Sequence, residues 1–257
     1  MIEPRSRRRG IPLRAVTPNA VTALALCFGL TGVRFAITEE WDKAVGAIVI
    51  AGVLDGLDGR IARLLKAQSR FGAELDSLSD VIAFGVSPAV ILFLWSLHYV
   101  PKYGWVIALA HAVCCALRLA RFNATLDAGD NPRKAAGYFN GVPAPAGAAL
   151  ALLPLILWLA TDQWPILQLT YVVAPWTIIV ALLMISDLPT YGWGSFRVRR
   201  GVRLPLLLLV GLAGASLLTA PWATLSGLVL IYVVAIPLAI RSYARVKRQR
   251  VSLNFPS

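Results

Sequence analysis

Four aspartates lie within a short and otherwise largely apolar stretch, and their spacing is typical of a metal site. They form two pairs, Asp55 with Asp58 and Asp76 with Asp80. Spacings of three and four residues place the members of each pair on one face of a helix. Carboxylates in apolar surroundings are costly and repel one another, so a cation must lie among them. Oxygen ligands without histidine or cysteine favour Mg²⁺, Mn²⁺ or Ca²⁺ over zinc.

Small and basic residues extend the two aspartate faces. Gly59, Ala62 and Arg63 continue the face of the first pair, and Gly72 lies four residues before Asp76. Positions three, four, seven and eight apart meet on one side of a helix. The pattern therefore predicts two consecutive helices whose functional faces carry acids, glycine and arginine together.

The composition places these helices in a membrane. Of the 257 residues, 58% are hydrophobic and only 15% are charged, and the mean hydropathy is +0.68. These values lie far outside the range of soluble domains. At about 20 residues for each span, a chain of this length has room for six to eight helices in one domain. We predict an all-α, polytopic transmembrane bundle.

Eight apolar runs are candidate spans. The first lacks a small-residue cleavage site, which indicates a retained helix rather than a signal peptide. The second run contains the first aspartate pair, and the third begins with the second pair. The runs cover about residues 18–37, 44–65, 71–99, 105–119, 142–160, 169–185, 204–218 and 223–240.

The net charge of +12 reflects membrane topology rather than nucleic-acid binding. The lysines and arginines cluster at alternate ends of the predicted spans, and the only exceptions are Arg34, Lys43 and Lys102. By the positive-inside rule, both termini and the basic end of the second span face the cytoplasm. Tryptophans near span ends are typical of an interfacial belt. They are Trp41, Trp105, Trp164 and Trp222.

The acidic stretch resembles the signature of the CDP-alcohol phosphatidyltransferases. The matching string is Asp55-x2-Asp58-Gly59-x2-Ala62-Arg63-x8-Gly72-x3-Asp76-x3-Asp80. Members of that family are integral membrane enzymes that transfer a phosphatidyl or related group from a CDP-linked lipid to an alcohol, with release of CMP. The resemblance implies a core of six helices that is usually dimeric. The signature would lie on the second and third helices of this core and face the cytoplasmic half of the membrane.

Three further stretches resemble the bacterial members that use serine as the acceptor. The likeness extends over about residues 17–192, and the last two spans resemble an addition to the core. The resemblance therefore implies a catalytic core of residues 17–200, preceded by a basic tail at 1–16 and followed by a helix pair and basic tail at 201–257. The stretches are FGAELDSLSDVIAFGVSPA (71–89), RLARFN (118–123) and MISDLPTYG (184–192).

The resemblance also implies roles for individual residues. All four aspartates would bind two divalent cations, either Mg²⁺ or Mn²⁺. Asp80 would also act as the general base. Gly72 would in addition allow the second and third helices to approach closely. Residues that would contact the CDP-lipid are Asn19, Thr22, Gly59, Arg63, Ser69 and Gly72.

The acceptor site is expected at the cytoplasmic end of the fourth helix. Arg118, Arg121 and Asn123 lie there, and one of the arginines is expected to hold the serine carboxylate. The alternative is that both arginines are membrane anchors that reach lipid phosphates. The implied partners are CDP-diacylglycerol, L-serine, membrane lipids and a second copy of the chain, without nucleic acid.

Two other functions remain open on the sequence. The same chemistry could use glycerol 3-phosphate, an inositol phosphate or choline, although neither a dense basic pocket nor an aromatic cage is evident near the fourth helix. Intramembrane carboxylates could also couple ions in a transporter. Transporters tend to contain inverted repeats and broken helices, however, whereas here the acids lie on two consecutive helices beside a basic flank. The sequence favours phosphatidyl transfer to serine.

Overall fold

The computed structural model describes residues 13–100, 102–127, 138–191 and 203–254. Those residues are mainly helical, and a π-helical turn, Val81–Val86, joins the third and fourth helices. The helices are α1 Leu13–Ile37, α2 Trp41–Leu64, α3 Arg70–Asp80, α4 Ser87–Trp95, α5 Gly104–Asp127, α6 Ala144–Ala151, α7 Leu153–Ala160, α8 Thr170–Ile185, α9 Arg203–Thr219 and α10 Pro221–Asn254.

The helical, membrane-spanning class predicted from composition is confirmed. Helices long and apolar enough to cross a membrane cover Val16–Ile37, Arg70–Trp95, Gly104–Ala124 and Pro221–Tyr243. Helices α8 and α9 are apolar but shorter. The fifth predicted run is divided at Leu152 into α6 and α7, and α10 continues to Asn254, well past the predicted end of the last span. The count of eight spans stays a prediction.

Helix α1 packs against the helices that carry the aspartates. It contacts α2, α3, the π-helical turn and α4. At Gly29 a methyl group would lie 2.8 Å from the Cα atom of Ala83, and at Gly32 it would lie 3.1 Å from the carbonyl oxygen of Ala44. Small residues allow such close helix contacts inside a membrane. This packing holds α1 against the two helices that carry the aspartates.

A five-residue loop reverses the chain between α2 and α3. The amide of Ala67 donates to Ala62 O at 3.0 Å, and that of Lys66 donates to Arg63 O at 3.3 Å, which is the Schellman pattern of a helix end. Lys66 occupies the left-handed region with φ 50°. At the start of α3 the Ser69 hydroxyl accepts from the Gly72 amide at 3.0 Å. The loop therefore ends one helix and begins the next with defined hydrogen bonds.

Two short strands lie among the helices and leave the all-α class unchanged. Strand β1, Tyr138–Asn140, pairs antiparallel with β2, Pro189–Tyr191. The pair is closed by the Thr190 hydroxyl, which donates to Gly141 O at 2.8 Å. Helix α10 packs against β2 and α7, so the C-terminal helix pair is joined to the rest of the bundle. The predicted boundary at residues 200–201 and most of the predicted basic tail 1–16 lie outside the described residues.

Candidate active site

Three of the four signature aspartates converge between α2 and α3. Carboxylate oxygens of Asp55, Asp76 and Asp80 all lie within 4.8 Å of one another. Asp55 and Asp80 are also within hydrogen-bonding reach of each other. The Oδ1 atom of Asp76 is buried and has no hydrogen-bond partner among the described residues. A buried carboxylate oxygen without a donor, beside two further carboxylates, fits a hard divalent cation such as Mg²⁺ or Mn²⁺.

Asp58 lies next to this cluster but is turned toward α1. Its side chain is buried, with 5% of the residue exposed, and it accepts a hydrogen bond from the Thr22 hydroxyl at 2.7 Å. It remains close enough to Asp55 and Asp76 to interact with them electrostatically. The structure thus brings three of the predicted metal ligands together and places the fourth beside them.

A hydrogen-bonded link joins three helices behind the carboxylates. Thr22 of α1 holds Asp58 of α2, and the Ser79 hydroxyl of α3 donates to the Thr22 carbonyl at 3.2 Å. Ser79 is buried and was not among the residues predicted from the sequence. Its position beside Asp80 was the only available signal, because nothing in the chain indicates a partner 57 residues away. Thr22 itself was predicted as a CDP-lipid contact, and here it orients an aspartate.

The close contact at Gly72 differs from the one predicted. A methyl group at Gly72 would lie 2.9 Å from Asn19 Oδ1 and 3.1 Å from Ser69 Oγ. Gly72 was predicted to allow close approach of α2 and α3. That prediction was wrong about the neighbouring helix, because the close approach is between α3 and α1. Asn19, Ser69 and Gly72 form one group at the start of α3, where amide donors face outward from the first turn.

Open space borders α2 one turn beyond Asp55. A methyl group at Gly59 would have no atom within 4 Å, so a ligand can approach the helix backbone there. The Arg63 Nε donates to Gly59 O at 3.0 Å, which keeps this exposed guanidinium over the same face. The Asp55 carboxylate, the accessible backbone at Gly59 and the Arg63 guanidinium thus follow one another along one side of α2.

Two of the predicted acceptor residues are already engaged within the protein. Arg121 forms an ion pair with Asp187 and donates to Ile185 O at 3.1 Å. Asn123 donates from Nδ2 to the Ser77 hydroxyl at 2.8 Å. Both contacts fasten the end of α5 to its neighbours, Arg121 to the end of α8 and Asn123 to α3.

Arg118 has a different environment from Arg121. Its Nε is buried and lacks a hydrogen-bond partner within the described part of the chain. The guanidinium lies 6.0 Å from the centre of the Phe122 ring and is within electrostatic reach of Asp80. A guanidinium with a buried, unused donor within electrostatic reach of the acidic cluster can hold an anionic group there.

Fold and site together define a helical membrane protein with a carboxylate cluster suited to binding a metal and phosphate groups. Residues 15–186 match the family model described as CDP-alcohol phosphatidyltransferase. Residues 202–237, which include α9 and much of α10, match a second model described as CDP-alcohol phosphatidyltransferase 2. The chain belongs to the CDP-alcohol phosphatidyltransferase family, as the signature predicted.

Curated relatives include several proteins named CDP-diacylglycerol–serine O-phosphatidyltransferase. The protein of that name from Mycobacterium tuberculosis strain H37Rv is 39% identical over 237 residues, which cover 91% of this chain and 81% of the relative. The one from Mycobacterium leprae is 39% identical over 241 residues, with 93% and 78% covered. The one from Bacillus subtilis strain 168 is 33% identical over 150 residues, with 56% and 81% covered.

Proposed function

We propose that this protein transfers the phosphatidyl group of CDP-diacylglycerol to the hydroxyl of L-serine, giving phosphatidylserine and CMP in phospholipid biosynthesis. The observation that carries the proposal is the convergence of Asp55, Asp76 and Asp80 beside the open backbone at Gly59. A pyrophosphate presents anionic oxygens that need compensating charge, and this site can supply it through a bound cation. The names of the relatives that cover most of the chain support serine as the acceptor.

The donor side of the site would be formed by α1, α2 and the start of α3. Asp55, Asp76 and Asp80 would hold the divalent cation, with Asp58 beside them as a further ligand for a second ion. Bound there, the cations would neutralise charge on the pyrophosphate oxygens of the donor. Gly59 and Arg63 would face the CDP group, and Asn19, Thr22, Ser69 and Gly72 would border it from α1 and the first turn of α3.

Asp80 is proposed as the general base. Its carboxylate would accept the proton of the serine hydroxyl while the hydroxyl oxygen forms the new bond to the phosphatidyl phosphorus. The bond between that phosphorus and the bridging oxygen breaks, and CMP leaves with the electron pair. A metal-bound aspartate is a weak base, so the positioning of the hydroxyl must supply much of the rate enhancement.

Arg118, rather than Arg121, is proposed to bind the serine carboxylate. Arg121 is occupied by Asp187 and by a backbone carbonyl, whereas the Nε of Arg118 has no partner among the described residues. Arg118 also lies within electrostatic reach of the proposed base, Asp80. A carboxylate held there would bring the serine hydroxyl near the acidic cluster.

The proposed setting is a bacterial inner membrane with the site facing the cytoplasm. The distribution of lysine and arginine supports this orientation and eight spans, with one membrane domain made of the core 17–200 and the helix pair 201–257. Contacts of α10 with β2 and α7 support the inclusion of the pair in that domain. Assembly as a homodimer is proposed from the family resemblance.

The experiment that tests the proposal follows CMP release by the purified protein in detergent. CDP-diacylglycerol is supplied with Mg²⁺ or Mn²⁺, and L-serine, glycerol 3-phosphate, inositol phosphates and choline are compared as acceptors. Serine-dependent release is expected. Release with another acceptor would retain the site and overturn serine as the acceptor, whereas no release with any acceptor would overturn the proposed activity.

A further inference from the structure

A second buried polar group without a partner lies on the acceptor side, and it belongs to the C-terminal helix pair. The Tyr232 hydroxyl of α10 is buried and makes no hydrogen bond of ordinary geometry among the described residues. The Thr190 hydroxyl lies within its reach but donates to Gly141 O. A buried polar group without a partner carries a desolvation cost, so such groups call for a ligand or an ordered water.

Tyr232 shares its surroundings with Arg118. The guanidinium of Arg118 is within electrostatic reach of both Tyr232 and Asp80. Helix α10 reaches this position because it packs against β2, whose Thr190 lies beside the tyrosine. Two unused donors, one guanidinium Nε and one phenol hydroxyl, therefore lie in the same region as the proposed base.

These donors suit a carboxylate. A carboxylate has about four acceptor positions on its two oxygens, and it can accept from an arginine and a hydroxyl at the same time. Choline offers no acceptor atom of this kind, and the phosphate of glycerol 3-phosphate carries more charge than a single arginine and a neutral phenol balance. The pairing of a cation with a neutral donor matches the single negative charge of an amino-acid carboxylate.

We infer that Tyr232 is a specificity-determining residue of the acceptor site and that its hydroxyl, together with Arg118, binds the carboxylate of the acceptor amino acid. The inference rests on the proposed function. It gives the helix pair that follows the core a direct part in acceptor binding. The match of residues 202–237 to a family model of their own includes Tyr232.

The test replaces only the hydroxyl, with Tyr232→Phe in the full-length protein in detergent. The KM for L-serine is expected to rise about tenfold or more, because a hydrogen bond to a charged group is lost, while the KM for CDP-diacylglycerol stays within about twofold. The preference in kcat/KM for L-serine over L-serinamide, which lacks the carboxylate, is expected to fall by a similar factor. A purely structural role would change both acceptors equally.

Tyr171→Phe is the matched control, because this tyrosine of α8 is 89% exposed and lies apart from the proposed site. Arg118→Lys and the double variant complete a double-mutant cycle. The increase in the KM for L-serine in the double variant should be smaller than the product of the increases in the two single variants. If Tyr232→Phe does not fold, Tyr232→Gln is used instead: it carries a donor on a shorter side chain that does not reach the position of the phenol hydroxyl, so its preference for L-serine over L-serinamide should lie below that of the unaltered protein. An equal preference would overturn the role of Tyr232.

Two results would separate the inference from the proposed function. Serine-dependent release by the unaltered protein, with an unchanged preference in Tyr232→Phe, would overturn the role of Tyr232 alone. Absence of serine-dependent release by the unaltered protein would overturn the proposed function and, with it, the acceptor assignment.

Discussion

The two sides of the site differ in how their polar groups are satisfied. On the donor side Thr22 holds Asp58, and Ser79 donates to the Thr22 carbonyl, so α1, α2 and α3 are joined by hydrogen bonds. The buried Asp76 Oδ1 has no partner among the described residues there, and the proposed cation would supply one. On the acceptor side the Arg118 Nε and the Tyr232 hydroxyl are buried without partners among the described residues, and no metal is proposed to bind them. The contrast falls between the N-terminal helices, which carry the family signature, and the later ones.

The difference suggests which substrate completes which part of the site. Ligands of a metal must be held in place before the ion binds, and second-sphere hydrogen bonds such as Thr22 to Asp58 do this. A small acceptor can make only a few contacts with the protein. Donors that have no partner until the acceptor binds therefore make the site bind a carboxylate more tightly than water or an uncharged alcohol. The donor side is therefore organised in advance, and the acceptor side is completed by its ligand.

The largest expected effect comes from Asp80→Asn. CMP release should fall about 10³-fold or more, since the loss of a general base alone typically costs about 10²–10⁴-fold and a proposed metal ligand is lost as well. Steady-state CMP release measures the effect, and Glu74→Gln, an exposed change on the same helix, is the control. Retention of more than a tenth of the activity would show that the base lies elsewhere.

Removal of divalent cations tests the acidic cluster next. Chelation with EDTA should stop CMP release, and excess Mg²⁺ or Mn²⁺ should restore it. In Asp76→Asn the metal concentration for half-maximal activity should rise by more than the about 10–100-fold typical of a lost second-sphere partner. Full activity in EDTA, or an unchanged metal requirement in the variant, would contradict a metal role for the unpartnered Asp76 oxygen.

Thr22→Val should have a smaller effect of the same kind. It removes the hydrogen bond to Asp58 with little change in volume, and the metal requirement should rise about tenfold. Thr31→Val, a change at a partly exposed position on the same helix whose hydroxyl donates to Cys27 O, is the matched control. Equal behaviour of the two variants would mean that the donor side does not depend on its hydrogen-bonded link.

The smallest effect is expected from Arg121→Ala. Its ion pair with Asp187 is largely exposed, so the free energy of unfolding should fall by less than about 1 kcal/mol. The KM for serine should change by less than about threefold, while Arg118→Ala should raise it about tenfold or more. Kinetics with serine as the varied substrate compare the two, and a larger KM change in Arg121→Ala would reverse the assignment of the arginines.

Much of the donor side could be predicted from the sequence, because helical periodicity places its residues. The spacing of Asp76 and Asp80 defines a face of α3, and that of Asp55 and Gly59 defines a face of α2, before any contact is known. The membrane class followed from composition, and the predicted apolar runs fall on helices. These features depend on local sequence, which a single chain records directly.

The remaining features depend on residues far apart in the chain. Thr22 meets Asp58 across 36 positions, and strands of three residues carry no periodic signal that could predict the pairing of β1 with β2. The sequence could not separate Arg118 from Arg121 either, since both lie at the same end of one helix. Their difference arises from Asp187 and Tyr232, which other elements bring to that end.

The five-residue loop between α2 and α3 cannot easily gain or lose a residue. Both ends of the loop are closed by hydrogen bonds, and Lys66 already occupies a backbone conformation that L-residues rarely adopt. An inserted or deleted codon there would have to break the end of α2 or the Ser69 cap of α3, and either change would displace the two halves of the carboxylate cluster relative to each other. The interval between Arg63 and Gly72 is therefore expected to tolerate no change of length that keeps the carboxylate cluster intact.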